Sequence, residues 1–208
     1  MDPNWAALEA AWLPARRAGV LGSATTEELR EHAAGFIPAA CGVLDPVVGI
    51  DLGTGAGVPG LLLALRLPQS RWTLVDSSER RCELALSATR ALSVQDRVEV
   101  RHGRAEDLAH DVNYRAGYSL VVARLFGPPS ELAEIGIPFV ADGGTLAVSV
   151  TAETTAVWRA GLNGLPVREL EFRERKAGSF LHVERFGEVE KSWPRRQRRR
   201  QRDPILAT

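Results

Sequence analysis

The 208-residue chain contains no apolar run close to the length that a membrane span requires, and Asp2, Glu9, Arg16 and Arg17 interrupt its first residues. Neither an anchor nor a signal peptide is expected, and the chain reads as cytoplasmic. Its two cysteines, Cys41 and Cys82, fall on separate expected elements with no partner pattern. They read as small buried thiols in a reducing compartment, which excludes a disulfide-held secreted fold. Four histidines, His32, His102, His110 and His182, show no metal-ligand spacing, so no metal is expected. No G-x-S-x-G elbow and no Walker A sequence occurs, which removes two large enzyme classes.

Net charge is also lacking, with 26 basic and 26 acidic residues, but the balance is uneven along the chain. Lys191, Arg195, Arg196, Arg198, Arg199, Arg200 and Arg202 face a single acid, Asp203, in the last 18 residues, a sum of +6 that leaves −6 for residues 1–190. A mildly acidic body with a concentrated basic end is suited to placing one site against a polyanion. Composition alone favours a solvated, disordered tail. The expected organisation is an N-terminal helical segment over 1–45, a catalytic domain over 46–190 and a basic C-terminal tail over 191–208.

The apolar pattern supplies the fold class. Residues 4–18 and 25–41 read as helices, with Trp5, Leu8 and Trp12 on one stripe and Thr25 or Thr26 as a cap for the second. Core packing accounts for both tryptophans. From residue 47 short apolar runs alternate with helical stretches: strands are expected at 47–52, 72–76, 98–100, 120–123 and 145–150, with helices at 61–67, 79–92 and 130–140. Such alternation implies a parallel sheet covered on both faces. Two last strands, 167–175 and 180–186, are joined through Ala177-Gly178 as an antiparallel pair. A mostly parallel seven-stranded sheet fits this order better than a symmetric dinucleotide fold does.

The chemistry centres on Asp51-Leu52-Gly53-Thr54-Gly55-Ala56-Gly57-Val58-Pro59-Gly60. Glycines at Gly53, Gly55 and Gly57 let the backbone turn sharply from strand to helix and approach a ligand closely. Pro59 at the helix start loses nothing by lacking an N–H. Asp51 bears on which ligand binds. A dinucleotide places its pyrophosphate on the helix N-terminus, where a nearby carboxylate opposes it. S-adenosylmethionine has no phosphate and carries a sulfonium and an ammonium, which an acid at the loop favours. Asp76 ends the second strand, 23 residues after Gly53, where a carboxylate can accept both ribose hydroxyls. The competing role is a helix cap, shared with Ser77 and Ser78, and beside the glycine loop the ligand role is preferred. Ala105 and Glu106 follow the third strand, either as readers of an adenine edge or as ordinary surface residues. Arg124 ends the fourth strand at the carboxyl edge, where open α/β sheets hold ligands, unless a partner such as Glu106 occupies it. The stretch Ala123 to Pro129 lacks the Asp/Asn-Pro-Pro-aromatic sequence of enzymes that methylate exocyclic amines.

With these residues in view, the chain resembles the bacterial small-subunit ribosomal RNA guanine-N7 methyltransferases, the glucose-inhibited division protein B family. The similar stretches are Asp51 to Gly60, Thr73-Leu74-Val75-Asp76-Ser77 with Arg80-Arg81, Arg104-Ala105-Glu106, Val122-Ala123-Arg124, Ala141-Asp142-Gly143-Gly144 and Trp193-Pro194-Arg195-Arg196. They run in the family's order over about residues 47–204. The resemblance implies a class I, Rossmann-like methyltransferase fold. It also implies S-adenosylmethionine contacts at Gly53, Val58, Asp76, Ala105, Glu106 and Arg124, and ribosomal RNA or the small ribosomal subunit as partner. Arg124 is then expected to orient cofactor or base, and Arg195, Arg196, Arg198, Arg199 and Arg200 to hold RNA phosphates. Two departures stand out: the family's Asn-Leu-Thr-like N-terminal segment is missing, and Gln197-Arg198-Arg199-Arg200-Gln201-Arg202 replaces its Gly-Ile-Pro ending. A methyltransferase of small metabolites, a nicotinamide-dependent oxidoreductase and a noncatalytic RNA-binding module are the alternative readings.

Overall fold

A computed structural model of the chain describes residues 5–39 and 46–206. Cys41 and the end of the second expected helix lie outside the described residues. Seven strands form one sheet: β1 (Val48–Leu52), β2 (Arg71–Asp76), β3 (Val98–His102), β4 (Tyr118–Ala123), β5 (Val140–Val150), β6 (Val167–Arg175) and β7 (Gly178–Arg185). Their order is β3-β2-β1-β4-β5-β7-β6. Strands β1 to β5 are parallel, and β7 runs antiparallel to both β5 and β6. This is the expected parallel sheet closed by an antiparallel pair. The chain builds outward from β1 to β3 and then returns to place β4 on the other side of β1. The carboxyl ends of β1 and β4 therefore flank the switch point at which open α/β sheets hold ligands.

Alternation along the strands sends side chains to two cores. One face carries Leu74, Leu120, Val122, Ala147 and Phe180, packed beneath the helices α1 (Trp5–Arg17), α2 (Thr26–Ala34), α3 (Gly60–Arg66) and α4 (Glu79–Ala91). The other carries Ile50, Leu52, Val121, Ala123, Leu146 and Leu181 against α5 (Ala105–Leu108), α6 (Pro129–Gly136) and α7 (Ala152–Gly161). Leu8 and Trp12 of α1 belong to the same buried cluster as Leu61 and Trp72, so the N-terminal helices share the sheet's core. Thr25 caps α2 through a reciprocal bond with Glu28. This helix stops at Ala34, well short of the expected residue 41, because Gly35 takes the cap position and Pro38 cannot continue the hydrogen-bond ladder.

The basic end is folded. Residues 197–202 form a final helix, α8 (Gln197–Arg202), and Trp193 and Leu206 on either side of it are buried. Arg115 holds the approach, donating from Nη1 to Trp193 O at 2.8 Å and from Nη2 to Glu190 O at 2.7 Å. The strongest anchor is Arg195. Its backbone N–H and Nε donate to Oε1 of the fully buried Glu134 at 2.6 and 2.9 Å, and its Nη2 donates to Oε2 at 2.8 Å. Arg200 is only 4% exposed, with Nη1 donating to Arg195 O at 2.5 Å and Nη2 lying 3.7 Å from Glu106 Oε1.

Removing the cation from a buried pair strands the remaining carboxylate. Arg195→Met is expected to lower unfolding free energy by about 3–5 kcal/mol in urea titration, whereas Arg198→Gln on the exposed face should change it by less than about 0.5 kcal/mol.

Candidate functional site

Asp51 stands at the end of β1 and is fully buried. Its Oδ2 accepts from Thr54 Oγ1 at 2.6 Å and from Gly60 N–H at 2.8 Å, spanning the glycine loop from its first turn to the first residue of α3. Its Oδ1 is buried with no hydrogen-bond partner among the described residues. Burial pushes the carboxyl up to about 6, against the opposing pull of Thr54, Gly60 and the Arg124 charge. Between these anchors Gly53, Gly55 and Gly57 adopt φ of +72°, +61° and +96°, conformations in which a side chain would be strained. Thr54 N–H donates to Val75 O of β2 at 2.9 Å, and Trp12 Nε1 donates to Ala56 O at 3.0 Å. The loop is thus held by a strand below it and a tryptophan beside it.

Asp76 ends β2 and joins the loop from the other side. Its Oδ2 accepts from Gly55 N–H at 2.9 Å, and its Oδ1 accepts from Ser78 N–H at 2.9 Å. Ser78 occupies the cap position of α4 without a side-chain cap bond, so Asp76 also serves the helix start that the sequence offered as its alternative role. Each carboxylate oxygen retains acceptor capacity. That capacity faces a cleft of about 180 Å³ lined by Gly53, Val75, Asp76, Ser77, Arg81, Gly103, Ala105, Leu125 and Phe126. Gly53, Asp76 and Ala105, residues far apart in sequence, meet there at the carboxyl edge of the sheet.

The remaining expected residues take different places. Val58 is buried beneath the loop, and Pro59 immediately precedes α3. Glu106 turns away from the cleft towards Arg104, whose Nε lies 2.9 Å from its Oε1, and towards Arg200. These arginines hold its carboxyl below the usual range although burial acts the other way. Arg124 follows β4, half-buried and without a hydrogen bond or ion pair among the described residues; Glu106 is not its partner. Burial lowers its pKa, with Asp51 opposing. Of the five arginines expected to hold phosphates, Arg195 and Arg200 are turned inward and held by Glu134 and Glu106. Both are corrected to folding contacts, because a guanidinium already paired inside the protein is not presented to a phosphate. Arg196, Arg198 and Arg199 are exposed and, with Arg202 and Asp203, border a hollow of about 500 Å³.

The histidines serve the fold. His32 Nδ1 pairs with Ala177 O at 2.8 Å and its ring packs on Phe36 and Phe180, while His102 and His110 bond to the carbonyls of Ser77 and Pro194. Among the described residues no cluster of His, Cys, Asp and Glu could hold a metal ion, and no helix is long and apolar enough to cross a membrane. Three contributors escaped the sequence reading. Trp12 carried only an apolar-stripe signal, which does not show where the indole N–H points. Leu125 and Phe126 follow Arg124 in the one stretch read for what it lacked.

The raised Asp51 carboxyl sets a pH dependence with a definite sign. The folded chain holds this proton more tightly than the unfolded chain, so the contribution is full below about pH 4 and is lost as pH rises through about 6. The stability of the wild type relative to Asp51→Asn should therefore fall by about 2 kcal/mol between pH 4.5 and 7.5. Urea unfolding of both proteins at the two pH values measures it.

Comparison with known proteins agrees with this geometry. The family described as rRNA small subunit methyltransferase G matches residues 27–155. Ribosomal RNA small subunit methyltransferase G of Lactococcus lactis subsp. cremoris (strain MG1363) is 33% identical over 169 residues, covering 77% of this chain and 70% of the relative. The protein of the same name from Oenococcus oeni is 30% identical over 166 residues, covering 75% and 67%. That from Leuconostoc citreum is 40% identical over 99 residues, covering 48% of this chain and 41% of the relative. Among solved structures, a methyltransferase from Geobacter sulfurreducens superposes with a TM-score of 0.63 at 14% identity over 88% of this chain and 89% of that one. An O-methyltransferase from Bacillus cereus in complex with SAH gives 0.62 at 13% identity over 86% and 90%. The structural likenesses establish the class I methyltransferase fold. The match over residues 27–155 and the Lactococcus relative establish the family: this chain belongs to the rRNA small subunit methyltransferase G family.

Proposed function

We propose that this chain transfers a methyl group from S-adenosylmethionine to N7 of a guanine in small-subunit ribosomal RNA, in the cytoplasm. The observation that carries the reading is the convergence of Gly53, Asp76 and Ala105 on one cleft at the sheet's switch point, inside the stretch that matches the family. The residues present fit the cofactor. Asp51 Oδ1 is a buried acceptor lacking a donor among the described residues, suited to the ammonium end, and the acid repels no phosphate because the cofactor has none. Gly53, Gly55 and Gly57 would shape the backbone against the amino-acid portion, with Val58 supporting the loop from below. Asp76 would accept the ribose hydroxyls, and Ala105 would border the adenine. When bound, the cofactor supplies a methyl group on a positively charged sulfur.

The acceptor explains what the site lacks. Guanine N7 is a ring nitrogen with a free lone pair and no proton, so its methylation needs no general base. Among the described residues no histidine lines the cleft. What remains for the protein is alignment, which supplies much of the rate in a displacement of this kind. Arg124 is the group to which we assign that alignment, since it is half-buried at the switch point and its donors are unspent among the described residues. Small-metabolite methylation, nicotinamide chemistry and noncatalytic RNA binding are not favoured by the family assignment.

Arg196, Arg198 and Arg199 on the outer face of α8 are the proposed phosphate contacts. Each phosphate contact contributes roughly 0.7–0.9 to the slope of log affinity against log salt. The double variant Arg198→Gln/Arg199→Gln should therefore flatten that slope by about 1.5 in filter binding of small-subunit RNA.

The activity itself is tested with tritiated S-adenosylmethionine and small ribosomal subunits from a strain lacking this protein. The expected result is label on guanine N7 with the wild type, and a loss of at least about tenfold with Asp76→Ala, since that substitution would leave ribose hydroxyls unpaired. Label on no RNA, with cofactor binding intact, would refute the acceptor assignment.

A further inference from the structure

One large apolar side chain at the cleft has no structural employment. Leu125 is 89% exposed, and its backbone lies in the left-handed region at φ +55°, where a branched side chain is strained. A folded chain gains nothing from holding a leucine in water in a costly conformation, and strain of this kind collects at functional sites. Among the described residues the other nearly bare large apolar side chain, Val112 at 85% exposure, lies on the approach to β4 at the opposite, amino edge of the sheet.

The surrounding backbone displays Leu125 to solvent. Arg124 leaves β4, Leu125 turns outward and Phe126 turns inward, with its ring so close to Gly53 that a Cβ there would lie 3.1 Å from Phe126 Cδ2. Gly127 follows at φ +150°, then Pro128 and Pro129 lead into α6 and stiffen the return. Phe126 thus closes on the glycine loop, while Leu125, the residue after Arg124, stands at the rim of the same cleft. A side chain so bare can be covered only by something arriving from solvent. A nucleobase would offer it a flat apolar face.

We propose that Leu125 is a positioning residue for the acceptor: it packs against the RNA base presented at the cleft and holds that base for transfer. This role rests on the ribosomal RNA reading of the site. Arg124 supplies hydrogen-bond donors at the edge of the base and Leu125 supplies apolar contact at its face, so the two consecutive residues bind it by different means. Proteins that handle bases outside the stack use apolar side chains in this way.

The test uses Leu125→Gly, which removes the side chain and relieves the left-handed strain, and Leu125→Met, which retains apolar reach. Methyl transfer to small ribosomal subunits lacking the modification, S-adenosylhomocysteine affinity by calorimetry and thermal melting are measured on each. In Leu125→Gly, kcat/KM for the subunits should fall by about tenfold, the effect of losing one base contact. S-adenosylhomocysteine affinity should hold and melting should not drop, whereas Leu125→Met should recover most of the rate. An unchanged kcat/KM, or a methionine variant no better than the glycine variant, overturns the proposal. A parallel loss of S-adenosylhomocysteine affinity also overturns it, by making Leu125 a cover for the cofactor. Wild-type protein that methylates no subunit RNA counts against the acceptor assignment instead.

Discussion

The Asp51 carboxylate, buried at the end of a central strand, takes two donors from the loop that follows and so decides the loop's shape. Thr54 and Gly60 both bond to one of its oxygens, which folds ten residues back upon the strand they leave. Removing a carboxylate from water is costly, and burial raises its pKa to about 6 against the pull of its hydrogen bonds. The glycines make the path sterically accessible, but Asp51 selects it. Asp76 adds a second tie through Gly55, and Trp12 a third through Ala56. The backbone of the cleft floor is therefore fixed by side chains from β1, β2 and α1.

The same economy operates at the other end of the chain. Glu134 is fully buried on α6, and Arg195 satisfies both its oxygens while turning the closing segment towards α8. Arg200 then lies within 3.7 Å of Glu106, beside the end of the cleft lined by Ala105. The arginine-rich ending is thus two structures in one: inward residues that weld it to the domain, and outward residues free to meet a polyanion. A basic tail without that weld would reach a phosphate with no defined distance to the cleft.

What the sequence made legible was whatever repeats or clusters. The strand and helix alternation, the late antiparallel pair and the glycine loop with Asp51 and Asp76 could all be read from periodicity and position. The end of the second helix could not, since an apolar pattern continued past Gly35 and the break came from local backbone chemistry at Gly35 and Pro38. Nor could the division among the arginines. Five look alike along the chain, and only the tertiary position of Glu134 and Glu106 distinguishes Arg195 and Arg200 from Arg196, Arg198 and Arg199. Trp12 shows the same limit at one atom: its ring follows the helical stripe, whereas its N–H serves a carbonyl 44 residues away. Left-handed backbone at Leu125 carries no sequence signal at all, because glycine or asparagine is the ordinary marker of that conformation.

The central claim is that the Asp51-braced loop is the cofactor platform. Calorimetric titration of S-adenosylhomocysteine into the wild type and into Thr54→Val tests it most directly, since valine keeps the side chain's shape and removes only the hydroxyl that bonds Asp51. The account predicts binding by the wild type and a loss of about tenfold or more in the variant, the worth of one charge-assisted hydrogen bond. Equal affinity in the two proteins, or no binding by the wild type, would contradict it.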